Sequence, residues 1–233
     1  MTMAKQCLIL GGFGEIGSAV AKEFESQGYE VWRSSRTSKS GAEKAVVLTG
    51  IGYEDDQSVS SLPQFDSVIW AQGVNRNDSI TNFSGDAFGE VLDANLIFVV
   101  STLELLLRKN KIIDGAKLGI ISSIWQEAAR VDKLSYSVSK AALGGLVRSV
   151  STDLAHKNIL VSAILPGVVD TEMTRKVLDE VQISSVKNKT GFHRLVDLKG
   201  LANVVFFLCS DQNTCITGQS IIADLGYTNV IQI

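Results

Sequence analysis

A tyrosine and a lysine four residues apart are the side chains of this sequence best suited to move a proton. Tyr136 and Lys140 fall on one face at the start of a predicted helix, which brings an ammonium group near a phenol. A nearby cation lowers the pKa of a phenol from its free value of about 10, so we expect Tyr136 to exchange a proton nearer neutrality. The pair alone is weak evidence, because chance supplies this spacing in about one chain in four of this composition.

Two polar residues upstream could complete a reaction centre. Ser123 follows the predicted strand Leu118–Ile121, at the edge of a parallel sheet where ligands bind, and its hydroxyl could hold a substrate oxygen beside the phenol. Asn95 interrupts the apolar segment Val91–Val100, which is predicted to be helical, and a buried amide there needs a backbone partner. Asn95 is structural if it stands alone, and it supports a proton relay if it lies beside the others.

A glycine-rich turn lies near the N-terminus. Gly11, Gly14 and Gly17 stand between a predicted strand and a predicted amphipathic helix. Backbone N–H groups and the start of the helix would together suit a pyrophosphate. The alternative is an ordinary strand–helix turn, but the elements on either side favour dinucleotide binding.

Short apolar runs alternate with longer segments of helical period, which predicts a parallel sheet covered by helices on both faces. The predicted strands include Cys7–Leu10, Ala45–Leu48, Val68–Trp70, Leu118–Ile121 and Leu160–Leu165. Tyr136–Asn158 is predicted to be one long amphipathic helix. Neither a linker nor a repeat is visible, so residues 1–233 are expected to form a single domain. Residues 172–191 leave two interpretations open, a mobile lid and a solvated helix.

Composition limits the partners. The chain has 22 basic and 25 acidic residues and a net charge of −3, so it lacks a basic surface for nucleic acid. Cys7, Cys209 and Cys215 are an odd set without CxxC spacing, which indicates reduced thiols, a cytoplasmic location and no metal site. The apolar runs are too short for an export signal or a bilayer span, so no membrane partner is expected.

The sequence resembles the short-chain dehydrogenase/reductase family over nearly the whole chain. The matching features occur in the order of the family, and they are the glycine turn, Asn95, Ser123, Tyr136, Lys140 and Pro166-Gly167. The resemblance implies a single-domain α/β fold, a Rossmann-like doubly wound parallel sheet of about seven strands. It also implies hydride transfer between a nicotinamide dinucleotide and a ketone or secondary alcohol. Tyr136 would be the general acid/base. Lys140 would lower the pKa of Tyr136 and bind the nicotinamide ribose, while Ser123 would orient the carbonyl and Asn95 would serve the relay.

The resemblance further implies a homodimer or homotetramer and a set of cofactor contacts. Those contacts are Gly11, Gly14, Ile16, Gly17, Ser35, Arg36, Ala71, Gly73, Tyr136, Lys140, Pro166, Gly167, Val169 and Thr171. Two positions depart from the family pattern. Glu15 stands where most simple members have a glycine, and its charge must point away from a pyrophosphate or weaken its binding. Trp70-Ala71-Gln72-Gly73 replaces the family's Asn-Asn-Ala-Gly and loses both amides.

The second predicted strand ends near the determinant of cofactor choice. Ser35 occupies the place of the ribose-binding acid of NAD-preferring members, and Arg36 follows it, so NADP(H) is favoured over NAD(H). The alternative is that Arg33 and Arg36 are solvated loop charges. Similar compact members reduce 3-oxoacyl thioesters, sugar derivatives or other small ketones. Trp125 could stack on a substrate ring or pack in the interior.

Two other functions remain open from the sequence. The first is a non-catalytic dinucleotide-binding sensor or scaffold, which would require neither Ser123 nor the proton donor Tyr136. The second is a sugar epimerase or dehydratase of the same fold, which is suggested by the spacing of Gly11, Gly14 and Gly17. The short C-terminal half leaves little room for the larger domain of such enzymes.

Overall fold

The computed structural model describes residues 4–37, 44–48 and 56–230. Its strands form one sheet, and these are β1 (Gln6–Leu10), β2 (Glu30–Ser35), β3 (Ala45–Val47), β4 (Phe65–Trp70), β5 (Ile112–Ile121), β6 (Leu160–Pro166) and β7 (Gln219–Ala223). Their order is β3-β2-β1-β4-β5-β6-β7, and all neighbouring pairs are parallel. The predicted doubly wound α/β fold is confirmed. The order reverses between β1 and β4, which makes this crevice the place where such sheets bind ligands.

Helices cover both faces of the sheet. They are α1 (Glu15–Ser26), α2 (Asp56–Ser60), α3 (Gly85–Leu92), α4 (Phe98–Arg108), α5 (Leu134–Asp153), α6 (Glu172–Val177), α7 (Glu180–Asn188) and α8 (Leu198–Leu208). Alternate residues of β1 serve the two faces. Cys7 and Ile9 pack in the cluster that includes α1 and α8, whereas Leu8 and Leu10 pack in the cluster that includes α4 and α5. A strand buried on both faces needs a continuous apolar run, which is the pattern that the sequence shows.

Two predicted elements differ most from their bounds in the structure. β5 begins at Ile112, well before the predicted strand Leu118–Ile121. The prediction began too late because Asp114, Gly115 and Lys117 interrupt the apolar pattern. Its pairing with β4 is irregular in that region. The helix predicted over Tyr136–Asn158 is α5, followed by a 3₁₀ turn that ends where Asn158 adopts a left-handed conformation, with φ of 56°. Asparagine tolerates that conformation better than most residues.

Residues 172–191 contain two short helices. The Thr171 hydroxyl accepts a hydrogen bond from Thr174 N and begins α6. Asp179 begins α7 through a reciprocal pair of hydrogen bonds with Gln182. Most side chains of both helices are exposed or partly exposed. The segment is therefore helical, and whether it moves as a lid stays a hypothesis.

Further sequence expectations concern the chain as a whole. Within the described residues, none of the helices combines the length and apolar character needed to cross a bilayer. Cys7 and Cys209 are buried and Cys215 is exposed, and all three are free cysteines. The predicted domain boundaries, residues 1 and 233, lie outside the described residues and stay a prediction.

Candidate active site

Two adjoining cavities run along the carboxyl edge of the sheet. The first has a volume of about 800 Å³ and is lined by the glycine turn, the end of β2 and the segment after β4. The second has a volume of about 220 Å³ and contains Ser123, Tyr136 and Lys140. Both are lined by Ile16, by residues 71–75 and by Thr171. Together they form one elongated cleft across the β1/β4 crevice, which has the shape needed for a dinucleotide with a substrate at one end.

The glycine turn is built by close backbone approaches. Gly11 has φ of +75°, and a Cβ atom there would lie 2.7 Å from the Gln72 backbone nitrogen. A Cβ atom at Gly17 would lie 2.3 Å from the Gly11 carbonyl oxygen. Gly14 is the N-cap residue of α1. Gly11 and Gly14 line the first cavity, whereas Gly17 lines neither and packs beneath the turn; its predicted contact with the cofactor stays a prediction.

The two arginines after β2 have different surroundings. Arg33 forms an ion pair with Glu25 of α1 at 2.7 Å. Arg36 is exposed and lines the first cavity beside Ser35. The Ser35 hydroxyl donates a hydrogen bond to the Thr37 carbonyl oxygen. Of these two arginines, Arg36 is therefore the one available to a ligand at this end of the cleft.

The carboxylate of Glu15 is bound by the opposite wall of the cleft. Its two oxygens accept a hydrogen bond from Glu172 N at 2.9 and 3.1 Å. The acid that interrupts the glycine pattern thus connects the first turn of α1 to the first residue of α6. A hydrogen bond from a backbone N–H to a carboxylate is charge-assisted and stronger than one between neutral groups.

Ser123, Tyr136 and Lys140 meet in the second cavity. The Tyr136 phenol is hydrogen-bonded to the Ser123 side chain, and Lys140 Nζ lies 5.7 Å from the centre of the Tyr136 ring. Lys140 is 3% exposed, and its ammonium donates to the Ile121 carbonyl oxygen at 3.0 Å. The carboxyl end of β5 and the first turn of α5 together position the three side chains.

Asn95 lies behind this cluster and lines neither cavity. It occupies a π-helical segment, Asp93–Ile97, that joins α3 to α4. Its side chain pairs with both backbone groups of Val74, accepting from N at 2.8 Å and donating to O at 3.0 Å, and it also donates to Ser139 Oγ at 2.9 Å. A π-helical turn inside a helix often marks a functional site. Val74 is thus the backbone partner that the sequence analysis required for Asn95.

Gly73 lies close to both Asn95 and Lys140. A Cβ atom at Gly73 would lie 3.1 Å from Asn95 Oδ1 and 3.5 Å from Lys140 Nζ. The absence of a side chain at this position lets the segment after β4 approach both groups closely. Asn95 is thus adjacent to the reaction centre, as a relay would require.

The ionisation of the pair differs from the expectation. Desolvation in the cleft raises the pKa of the Tyr136 phenol above its ordinary value of 10.0, and the hydrogen bond with Ser123 lowers it only in part. Burial lowers the pKa of Lys140 from 10.5 to about 8. The prediction that the cation lowers the phenol pKa is therefore wrong for this arrangement. Removal from water disfavours the charged form of each group and dominates both shifts.

The loop after β6 forms the wall next to Tyr136. Pro166, Gly167, Val169 and Thr171 all line the second cavity. A Cβ atom at Gly167 would lie 2.8 Å from the Asp224 Cβ atom, so this loop packs closely on the segment after β7. All the predicted cofactor contacts except Gly17 therefore line one of the two cavities, as do the predicted catalytic residues except Asn95.

Sequence reasoning missed several polar residues of the cleft, among them Gln72 and Lys133. Gln72 lines both cavities. Lys133 lines the second, where its ammonium donates to the Asn75 and Asn77 side chains. Gln72 could have been noticed in the sequence, because the family pattern has alanine at this position. The sequence contains no signal that would have predicted the contacts of Lys133 with Asn75 and Asn77. Trp125 lines the cavity and also packs edge-on against Tyr227, with ring centres 6.4 Å apart, so it is available to a ligand and to packing.

Comparisons with known proteins agree with this geometry. Residues 56–228 match the family model described as enoyl-(acyl carrier protein) reductase. The 3-oxoacyl-(acyl-carrier-protein) reductase FabG of Aquifex aeolicus is 28% identical over 235 residues, which cover 93% of this chain and 94% of that protein. The acetoacetyl-CoA reductase of Rhizobium meliloti is 27% identical over 237 residues, covering 96% of this chain and 98% of that protein. A gluconate 5-dehydrogenase from Burkholderia cenocepacia, solved with NADP and tartrate, has a TM-score of 0.88 at 22% identity and covers 97% of this chain and 96% of its own.

Proposed function

We propose that this chain reduces a ketone substrate with NADPH. The chain belongs to the short-chain dehydrogenase/reductase family and is an NAD(P)-dependent oxidoreductase of ketones or secondary alcohols. In this proposal Tyr136 is the proton donor. The observation that carries it is the meeting of Ser123, Tyr136 and Lys140 at one end of a cleft whose other end is the glycine turn. The two alternatives from the sequence, a non-catalytic sensor and a sugar epimerase or dehydratase, are not favoured.

Reduction requires a protonated phenol at Tyr136, and burial of this side chain favours that form. Because its pKa is raised, the phenol keeps its proton at neutral pH and can deliver it to a carbonyl oxygen as negative charge develops there. Ser123 would hold the same oxygen from its position beside the phenol. The Lys140 ammonium, with a pKa of about 8, is still charged at neutral pH and would stabilise the phenolate that remains after transfer.

The cleft fits a nicotinamide dinucleotide. The bound cofactor would supply the hydride, and the chain would supply the binding groups and the proton. Gly11 and Gly14 would approach the diphosphate, and Lys140 would contact the ribose next to the nicotinamide. Gly11, with φ of +75°, has no side chain over the turn, so a diphosphate could approach the backbone there closely.

Preference for NADPH is supported by charge at the first cavity. No carboxylate follows directly on β2, where Ser35 stands, and the exposed Arg36 can pair with a 2′-phosphate. Arg33, held by Glu25, is a matched control. We expect Arg36→Ala to weaken NADPH binding at least tenfold more than NADH binding, since a charge-assisted pair is lost. We expect Arg33→Ala to change both affinities alike. Equal losses for both cofactors in Arg36→Ala, measured by fluorescence titration, would contradict this preference.

We propose 3-oxoacyl thioesters as the substrate class. The curated relatives quoted above carry names of 3-oxoacyl and acetoacetyl thioester reductases. Beyond Tyr136, the cleft continues into a cavity of about 320 Å³. Apolar and aromatic side chains line most of it, including Trp125, Leu178 and Val181, and this surface suits an acyl chain. Arg130, Gln182 and Ser185 also line this cavity. A panel containing acetoacetyl-CoA, longer 3-oxoacyl thioesters and sugar ketones would test this class. Reduction of the sugars alone would contradict it.

Tyr136→Phe tests the mechanism. We expect turnover to fall at least a thousandfold while NADPH binding stays within about threefold, because the substitution removes the proton and little else. Tyr29→Phe is the matched control, since Tyr29 packs against Phe24 and Phe206 away from the cleft. Full-rate turnover by Tyr136→Phe, followed by absorbance of the reduced nicotinamide, would exclude the proposed role.

We also propose an oligomeric state and a cellular location for this protein. The family resemblance implies a homodimer or homotetramer with α5 and β7 as contact surfaces, and β7 lies at one edge of the sheet. Light scattering distinguishes these states, and a monomer at micromolar concentration would contradict both. A cytoplasmic location is proposed from the free cysteines.

A further inference from the structure

The helix that carries Tyr136 and Lys140 begins without a cap of its own. α5 starts at Leu134, and within residues 56–230 the side chain of its N-cap residue, Lys133, makes no capping hydrogen bond to the first turn. The first backbone N–H groups of a helix have no partner inside the helix, so they need acceptors from elsewhere in the chain. Tyr136 is the third residue of α5. Its position therefore depends on whatever binds this turn.

Asp78 supplies the missing acceptors. Its carbonyl oxygen accepts a hydrogen bond from Leu134 N at 3.1 Å. One oxygen of its carboxylate accepts from Ser135 N at 3.0 Å, and the other accepts from the Ser135 hydroxyl. Asp78 N donates in turn to the Asp132 carbonyl oxygen at 3.3 Å. Asp78 is 6% exposed and Ser135 is fully buried, so water competes little for these bonds. A residue 57 positions before Ser135 thus caps the helix.

The segment that carries Asp78 is itself held in place. Asn95 binds both backbone groups of Val74 at its beginning. The Lys133 ammonium binds the side chain of Asn77, next to Asp78. Asp78 lines neither cavity of the cleft. It therefore acts on the reaction centre only through the turn that it binds.

We propose that Asp78 is a positioning residue for the proton donor. Its bonds to Leu134 and Ser135 fix the first turn of α5, and this turn holds the Tyr136 phenol against Ser123. The inference rests on the proposed function, because it assigns the placement of the group that delivers the proton. A carboxylate is a strong acceptor for backbone N–H groups. A misplacement of about 1 Å in a reacting group can lower a rate by about a hundredfold, so the cap has a kinetic effect.

Asp78→Ala removes both side-chain bonds to Ser135. We expect kcat for reduction of acetoacetyl-CoA with NADPH to fall at least tenfold, because the phenol is placed less precisely. We expect KM for acetoacetyl-CoA and Kd for NADPH to change less than about threefold, because the groups lining the cleft remain. Asp78→Asn keeps an acceptor for Ser135 N and should stay within about threefold of the wild-type kcat. If Asp78→Ala does not fold, Ser135→Ala replaces it, with an expected fall in kcat of about threefold.

Asn213→Ala is the matched control for loss of stability. The Asn213 side chain is 2% exposed and joins the end of α8 to the segment before β7. It donates to the Leu208 carbonyl oxygen at 3.0 Å and accepts from Ile216 N at 2.8 Å, and it lines neither cavity. Both Asn213→Ala and Asp78→Ala should lower the melting temperature by about 4–8 °C. Only Asp78→Ala should lower kcat at a temperature where both variants are folded.

A double-mutant cycle distinguishes positioning of Tyr136 from a general disturbance of the site. If Asp78 acts through the phenol, adding Asp78→Ala to Tyr136→Phe should change the residual single-turnover rate less than about twofold. A further fall of tenfold overturns the proposal. Full kcat in Asp78→Ala, or in Ser135→Ala if the former does not fold, also overturns it, as does an equal fall in Asn213→Ala. These results leave the proposed function intact. Failure of the wild type to reduce acetoacetyl-CoA or any other ketone with NADPH overturns the proposed function and this inference with it.

Discussion

The buried ammonium of Lys140 should make the stability of the protein depend on pH in a predictable direction. Its pKa is about 8 in the folded chain, against an ordinary value of 10.5. Between those values the unfolded chain binds more protons than the folded one, so the free energy of unfolding rises with pH. The full shift corresponds to about 3 kcal/mol at about 1.4 kcal/mol per pH unit. Because Lys140 is 3% exposed, solvent screens this cost little.

Comparison with Lys140→Met isolates this contribution. The substitution removes the titrating group, and the loss of the hydrogen bond to Ile121 adds a cost that does not vary with pH. From pH 7 to 9.5, the unfolding free energy of the wild type should gain about 2 kcal/mol relative to Lys140→Met. Urea denaturation at several pH values measures the difference. Lys22→Met on the exposed surface of α1 is the control and should not reproduce the gain.

The reasoning is refuted if wild type and Lys140→Met differ by the same free energy at pH 7 and pH 9.5. The same titration has a kinetic counterpart. If the charged ammonium is required for reduction, kcat/KM should fall about tenfold per pH unit above about pH 8. A profile that stays level to pH 9.5 would contradict that role.

Three further substitutions test other contacts. Asn95→Ala removes three hydrogen bonds, one buried and two partly buried, and should lower the unfolding free energy by about 3 kcal/mol, measured in urea. A loss below about 1 kcal/mol contradicts this. Gly119→Ala places a Cβ atom 2.4 Å from Cys209 Sγ and should cost about 1–3 kcal/mol. Part of that loss should return in the double variant with Cys209→Ala, and additive effects would contradict the clash. Glu15→Ala releases the backbone of Glu172, so trypsin should cleave α6 several-fold faster; an unchanged rate would show that the contact does not hold the helix.

Much of the reaction centre was predictable because its signals are local. The distance between Tyr136 and Lys140 follows from one helical turn, and the place of Ser123 follows from the end of a strand. The glycine turn was recognisable from the elements on either side. The requirement of Asn95 for a backbone partner was also readable, but the identity of that partner, Val74, was not.

The ionisation of buried groups and the contacts between distant segments were harder to predict from the sequence. The sequence predicted that Lys140 would lower the pKa of Tyr136, whereas burial raises it. Desolvation depends on every atom packed around a group, and no spacing along the chain reports it. Glu15 was recognised as a departure, but its partner in α6 is 157 positions away. Gln72 was recognised only as part of a changed family motif, because the burial of its amide is a property of the packed structure.

The sequence by itself determined the alternation of strands and helices, the class of fold and the side chains that carry the chemistry. These properties depend on residue type and on spacing within one or two turns of chain. The tertiary structure alone decided the order of the strands, the early start of β5 and the packing role of Gly17. It also decided that burial raises the pKa of the Tyr136 phenol and lowers that of Lys140. Those outcomes depend on which distant segments exclude water from a group, and only the folded chain defines that.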